Sequence, residues 1–219
     1  MNKSYPKWIQ SIKFLCFDLD GTLFRNVEEA WSAIQQQIYK IVMRQRNLSL
    51  QEAAFYVRQR YSALGSSTKV LNELGIDGED FFVKAFKKIE LNKLVPKDKK
   101  IVDLIANLKK KYKLGMISNT HRSIAKKKLE AIGLSLKTFN SLITTYELNA
   151  YKPDPGPFLK ALEMAKISPE ESVYIGDSVE TDIMGAKGVG MKTILVWSES
   201  PEADLSLPTI YDLKIFLNQ

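Results

Sequence analysis

The chain has 219 residues, 45% of them hydrophobic and 26% charged, which predicts a soluble globular protein with one substantial core or one core and a small appendage. No apolar run approaches the roughly 18 residues of a membrane helix, and Cys16, the only cysteine, excludes an intramolecular disulfide and fits a reducing compartment. The formal charge of +7 comes from lysines spread along amphipathic segments, with no nucleic-acid motif beside them, so a solvated surface is expected and nucleic-acid binding is not.

The opening stretch MNKSYPKWIQSIKF lacks the apolar segment and cleavage site of a signal peptide, so a cytoplasmic chain is expected. The first strand is predicted at KFLCFD (13–18). From Arg25 to about Leu94 no strand pattern occurs. There VEEAWSAIQQQIYKIVMRQ puts Trp31, Ile34, Ile38, Ile41 and Val42 on one helical face, and SLQEAAFYVRQRYSAL starts on Ser49 as a helix N-cap. STKVLNELG and GEDFFVKAFKKIE read as two more helices. Trp31, Phe55, Tyr56, Phe81, Phe82 and Phe86 are expected to pack between them. Val95–Pro96 marks the return, because a residue before proline resists helix.

Strands are then predicted at 113–118, 141–146, 172–177 and 192–197, alternating with helices at 98–112, 122–133, 155–167 and 180–190. Such alternation implies parallel pairing with right-handed crossovers, and the scarcity of polar positions implies strands covered on both faces. The expected fold is α/β: a Rossmann-like parallel sheet core flanked by helices, formed by 1–24 and 95–219, with a small all-helical domain inserted at 25–94.

Open α/β sheets bind ligands beyond the carboxyl ends of their strands. Asp18 and Asp20 follow the first strand, with Gly21 and Thr22 behind them. Ser118, Asn119 and Thr120 follow the second, ELNAYKPDPGPF with Lys152 the third, and GDSVETD with Asp177 and Asp182 the fourth. Carboxylates, a hydroxyl and an ammonium therefore meet at one sheet edge.

These motifs resemble those of the haloacid dehalogenase-like hydrolase superfamily. FDLDGTLF resembles its first motif, MISN its second, Lys152 in YKPDPGPF its third and GDSVETD its fourth. The helical segment 25–94 lies where the phosphatase branch carries a helical cap. The resemblance implies a Mg2+-dependent phosphatase, with the Asp18 and Asp177 side chains and the Asp20 backbone carbonyl as metal ligands.

The residues suit that chemistry. Asp18 is the candidate nucleophile, forming an aspartyl-phosphate. Asp20, two residues on, projects to the same side of an extended segment and is the candidate general acid and then general base. Ser118, Asn119 and Lys152 are candidate phosphate-binding groups, with the N–H groups of the following helix offered to the anion. Thr22 and Asp182 are secondary candidates; Asp182 is either an outer carboxylate, a partner of Lys152, or a first-turn aspartate favoured by the helix dipole. His121 reads as a helix-start or substrate-contact residue. Arg25 is either a substrate-anion contact or a linker residue.

The expected substrate is a small phosphorylated metabolite of the nucleotide, phosphoglycolate or sugar phosphate class. No nucleic-acid or membrane partner is expected, and the chain is expected to be a monomer or homodimer. The alternatives are a phosphomutase, a 2-haloacid dehalogenase, against which Asp20 argues, and a non-catalytic binding protein on the same scaffold.

Overall fold

The computed structural model describes residues 5–25, 28–95 and 97–217. The chain divides into two compact units, Met1–Arg25 with Val95–Gln219, and Asn26–Leu94.

In chain order, β1 (Phe14–Phe17) leads into the second unit, which holds α1 (Glu28–Arg46), α2 (Leu50–Leu64), α3 (Ser67–Glu73), α4 (Gly78–Lys87) and the single turn α5 (Leu91–Leu94). The first unit resumes with α6 (Lys99–Leu108), β2 (Lys113–Ser118), α7 (Arg122–Ile132), β3 (Ser141–Thr144), α8 (Thr145–Leu148) and α9 (Pro155–Ala165). It closes with β4 (Ser172–Gly176), α10 (Met184–Gly188), β5 (Lys192–Val196) and β6 (Leu205–Leu207).

All six strands form one sheet in the order β3-β2-β1-β4-β5-β6, and every neighbouring pair is parallel. β1 is central because its four residues, Phe-Leu-Cys-Phe, are all buried and tolerate cover on both faces. Phe14 and Cys16 on one face join Ile117, Phe158 and Tyr174 in a core cluster under α9. Among the described residues no helix is long and apolar enough to cross a membrane.

The structure departs from the sequence reading in several places. The strand expected over 141–146 ends at Thr144, the last residue paired with β2, and the chain turns at once into α8. Arg122 holds that turn: its guanidinium donates to the Leu142 carbonyl and, through two nitrogens, to the Glu147 carboxylate. The helix expected over 180–190 is broken into a wide π-turn at Val179–Ile183 and α10. There the Ser178 carbonyl accepts from both the Asp182 and Ile183 N–H groups, at 3.1 Å each. α6 stops at Leu108 instead of running to 112. The edge strand β6 and the 3-10 turns at Lys7–Ser11 and Ile210–Phe216 were not expected. The return expected at Val95–Pro96 falls partly on Pro96, outside the described residues.

In the second unit, Ser49 caps α2 in a full capping box with Glu52. Trp31 meets Phe82 and Phe86 edge to face at 5.9 and 5.8 Å, as packing aromatics do. Phe55 does not share that role: it sits on the outer face of α2 and is 56% exposed. Arg25 belongs to the first unit, where its guanidinium lies 5.4 Å over the Trp197 ring.

Candidate active site

Asp18 is the first residue beyond β1, and its N–H still donates to Ile175 of β4 at 2.9 Å. The sheet therefore fixes its backbone, and its side chain is buried. Oδ1 accepts from Lys152 Nζ at 2.6 Å. Oδ2 is enclosed and has no hydrogen-bond partner among the described residues.

Lys152 reaches the same point from the loop before α9. Asn119 clamps its backbone, accepting the Lys152 N–H on Oδ1 at 3.0 Å and donating Nδ2 to the Lys152 carbonyl at 3.2 Å. The Lys152–Pro153 peptide is cis. The buried ammonium spends its three protons on Asp18 Oδ1 and Asp182 Oδ1, both at 2.6 Å, and on Tyr174 Oη at 3.0 Å. The Tyr174 hydroxyl donates in turn to the Ile117 carbonyl at 3.3 Å.

Asp182 owes its position to the π-turn. Its Oδ1 faces Lys152, while Oδ2 accepts the Ser178 N–H at 3.1 Å. Gly176 makes this approach possible, since a Cβ there would lie 2.4 Å from Asp182 Oδ2. Asp177 is treated alike from the other side: Thr22 Oγ1 donates to it at 3.3 Å, and a Cβ on Gly21 would lie 2.2 Å from its Oδ2. Gly21 also has φ +84, a conformation glycine adopts without strain. The Thr22 carbonyl in turn accepts the Trp197 indole N–H at 3.1 Å.

Asp18, Asp177 and Asp182 bring one carboxylate oxygen each to within 4.8 Å of one another. Asp20 is not in that group. The chain leaves the strand at Leu19 in a tight turn, with Leu23 N–H bonded to the Leu19 carbonyl and Gly21 N–H to the Phe24 carbonyl. The two-residue alternation therefore stops, and the Asp20 carboxylate accepts instead from Lys128 of α7 at 2.7 Å. Ser118 is buried at the end of β2, opposite Thr144. His121 is the N-cap of α7, its Nδ1 accepting the Ser123 N–H at 3.2 Å, and its ring stands edge to face with Tyr146.

The electrostatics are those of crowded anions. Burial pushes the Asp18 carboxyl up to about 7; Lys152 opposes this, and Asp182 and Asp177 add to it. Burial and the Asp182 charge also raise Asp177. Burial disfavours the Lys152 charge, but the charges and hydrogen bonds of Asp18 and Asp182 outweigh it, so the ammonium is held above the ordinary lysine range. Three carboxylates crowd one ammonium, and a divalent cation would offset the negative charge that the ammonium leaves unbalanced. The oxygen-only donor set of this cluster fits Mg2+, which prefers such ligands.

Lys128, Tyr174 and Trp197 escaped the sequence reading. Lys128 had a signal: it falls in phase with Ile124, Ala125, Leu129 and Ile132 on the inner face of α7. Tyr174 had a weaker one, a polar tip in the middle of a strand otherwise free of side-chain oxygens after Ser172.

A family model described as haloacid dehalogenase-like hydrolase matches residues 15–196. A phosphoglycolate phosphatase of Aquifex aeolicus is 28% identical over 211 residues, 90% of this chain and 94% of that one. A glyceraldehyde 3-phosphate phosphatase of Methanopyrus kandleri is 26% identical over 196 residues, 84% of each. Among solved structures, a HAD phosphatase from Thermococcus onnurineus superposes with a TM-score of 0.73 at 26% identity, covering 94% of this chain and 98% of that one.

Proposed function

The chain belongs to the haloacid dehalogenase-like hydrolase family, and from that premise we infer that it is a phosphoric monoester hydrolase acting on a small phosphorylated metabolite. The observation that carries this reading is Asp18: enclosed, held through Oδ1 by Lys152, and left with Oδ2 unpartnered. An anchored carboxylate with one free oxygen is what in-line attack on phosphorus requires.

In the first half-reaction Asp18 forms the new O–P bond while the bond to the leaving oxygen breaks. Asp20 gives that oxygen its proton. In the second, Asp20 takes a proton from water, the water oxygen attacks phosphorus, and the Asp18 carboxylate is released with inorganic phosphate. Lys152 holds Asp18 in place and balances its charge, and Asp182 holds Lys152. Ser118 and the N–H groups at the start of α7 offer donors to the phosphoryl oxygens. Asn119 contributes by fixing the Lys152 backbone. The side chains of Asp18 and Asp177 and the backbone carbonyl of Asp20 would hold Mg2+, which when bound supplies neutralisation of phosphoryl oxygen charge.

The relatives' names point to short phosphorylated carbon compounds, phosphoglycolate and glyceraldehyde 3-phosphate. We assign choice among such substrates to the helical unit Asn26–Leu94, read as a cap, because the acidic cluster lies wholly in the other unit. The test is phosphate release from p-nitrophenyl phosphate and from phosphorylated metabolites, with Mg2+ and with chelator, for the wild-type chain and Asp18→Asn. Mg2+-dependent release that Asp18→Asn removes, together with any trapped phosphoenzyme, is expected. Full activity in the chelated protein, or in Asp18→Asn, would refute the reading.

A further inference from the structure

α7 presents Ile124, Ala125, Leu129, Ala131 and Ile132 to the interior, and Lys128 takes a place on that same face. The lysine is 1% exposed. A buried ammonium persists only where a counter-charge and hydrogen-bond acceptors meet it. Lys128 Nζ meets Asp20 Oδ2 at 2.7 Å, while Asp20 Oδ1 has no hydrogen-bond partner among the described residues. The neighbouring Lys126 and Lys127 are exposed, so the basic run is not itself the reason for this placement.

The terminal torsion of an aspartate is broad and roughly two-fold, so either oxygen of a free carboxylate can face a reactant. An enclosed ammonium on a helix removes that freedom. We propose that Lys128 is a positioning residue for Asp20: it engages Oδ2 and leaves Oδ1 as the oxygen that exchanges the proton with the leaving group and then with water. The inference rests on the acid–base reading of Asp20 given above. Lys128 itself gives up no proton and touches no reacting atom. Its contribution is orientation, which acts on the chemical step and not on ground-state binding.

The test compares two aryl phosphates of similar shape, phenyl phosphate with a poor leaving group and p-nitrophenyl phosphate with a good one. Lys128→Met removes the ammonium and keeps an unbranched apolar side chain. Its kcat on phenyl phosphate is expected to fall roughly 10–100-fold, with KM within about twofold and the loss on p-nitrophenyl phosphate below about threefold. In an Asp20→Asn background Lys128→Met is expected to cost nothing further, because the group it orients has gone. Wild-type kcat in Lys128→Met on phenyl phosphate, equal losses on both substrates, or an undiminished loss in the Asp20→Asn background would each overturn the proposal. Should Lys128→Met not fold, Lys128→Gln is judged by the same comparison. Asp20→Asn alone separates the two levels: if it keeps phenyl phosphate turnover, the acid–base reading fails, whereas if it loses turnover and Lys128→Met does not, only the role of Lys128 fails.

Discussion

Asp182 Oδ1 lies 2.6 Å from Lys152 Nζ, with side-chain exposures of 1% and 3%. Removing one partner of such a buried pair strands the other charge. Asp182→Ala is expected to lower unfolding free energy by roughly 3–5 kcal/mol. It also frees Lys152 to tilt toward Asp18, so kcat falls with it. Urea denaturation measures the first effect. A loss below about 1 kcal/mol would mean that Asp18 and Tyr174 alone satisfy the ammonium.

Asp18 supplies a pH signature. Its carboxyl is raised from 3.8 to about 7 by burial, so the folded chain keeps a proton that the unfolded chain has released. Between those values the unfolded state binds fewer protons, and stability of the metal-free protein falls as pH rises from about 4 through about 7. The change is on the order of a few kcal/mol. The raised ammonium of Lys152 contributes stability below the ordinary lysine range and so adds no slope in this window. Chemical denaturation in chelator at pH 5 and pH 8 reads the difference, and Asp18→Asn should reduce it, the remainder having the same sign because burial also raises Asp177. Mg2+ needs the ionised carboxylate, so its binding near pH 6.5 should release protons, visible as buffer-dependent heats in calorimetry. Stability that climbs from pH 5 to pH 8 in chelator would contradict the assignment.

Gly21 faces Asp177 at a distance no Cβ tolerates, 2.2 Å to Oδ2, and at φ +84. Gly21→Ala should displace the Asp177 carboxylate and strain the turn. Metal affinity is expected to weaken about 10–100-fold, the usual scale for disturbing groups that orient ligands. The Mg2+ concentration for half-maximal turnover is the readout, and an unchanged value would show that Asp177 is not a ligand.

Asn119 closes two hydrogen bonds on the Lys152 backbone at 3.0 and 3.2 Å. Asn119→Ala leaves Lys152 on a loop without that clamp. kcat should drop roughly 10–100-fold, as misplacements near 1 Å do, with little change in thermal midpoint, since Asn119 is exposed. A large fall in midpoint at constant kcat would reverse this division.

Much of the sheet could be read before the structure, because strands buried on both faces leave short, almost purely apolar runs. β2 runs over the predicted residues 113–118. β6 was hidden because Leu-Ser-Leu is too short and half-buried to carry a period. The broken helix after β4 was hidden because one extra residue in a turn changes no residue type. Asp18, Lys152, Asp177 and Asp182 were legible as polar groups at strand ends, and they do converge. The side-chain destination of Asp20 was not, because it depends on a turn at Leu19–Phe24 and on a helix more than a hundred residues away. Lys128 sits in the run Lys126–Lys128, where composition suggests solvent and only helical phase separates the third lysine from the other two.

The placement of β1 dictates an order of events during synthesis. Phe14 pairs with Lys113 on one side and with Ser172 on the other. The central strand therefore has no complete set of neighbours until most of the chain has left the ribosome. The helices of Asn26–Leu94 form a compact unit from one continuous stretch of chain and can fold long before that. A nascent chain stalled before Ser172 carries a wholly apolar strand with one bare flank, a template for pairing with other chains. Such stalled chains should keep a protease-resistant helical fragment while residues 14–17 remain sticky, so chaperone capture should peak before β4 emerges and fall once it has.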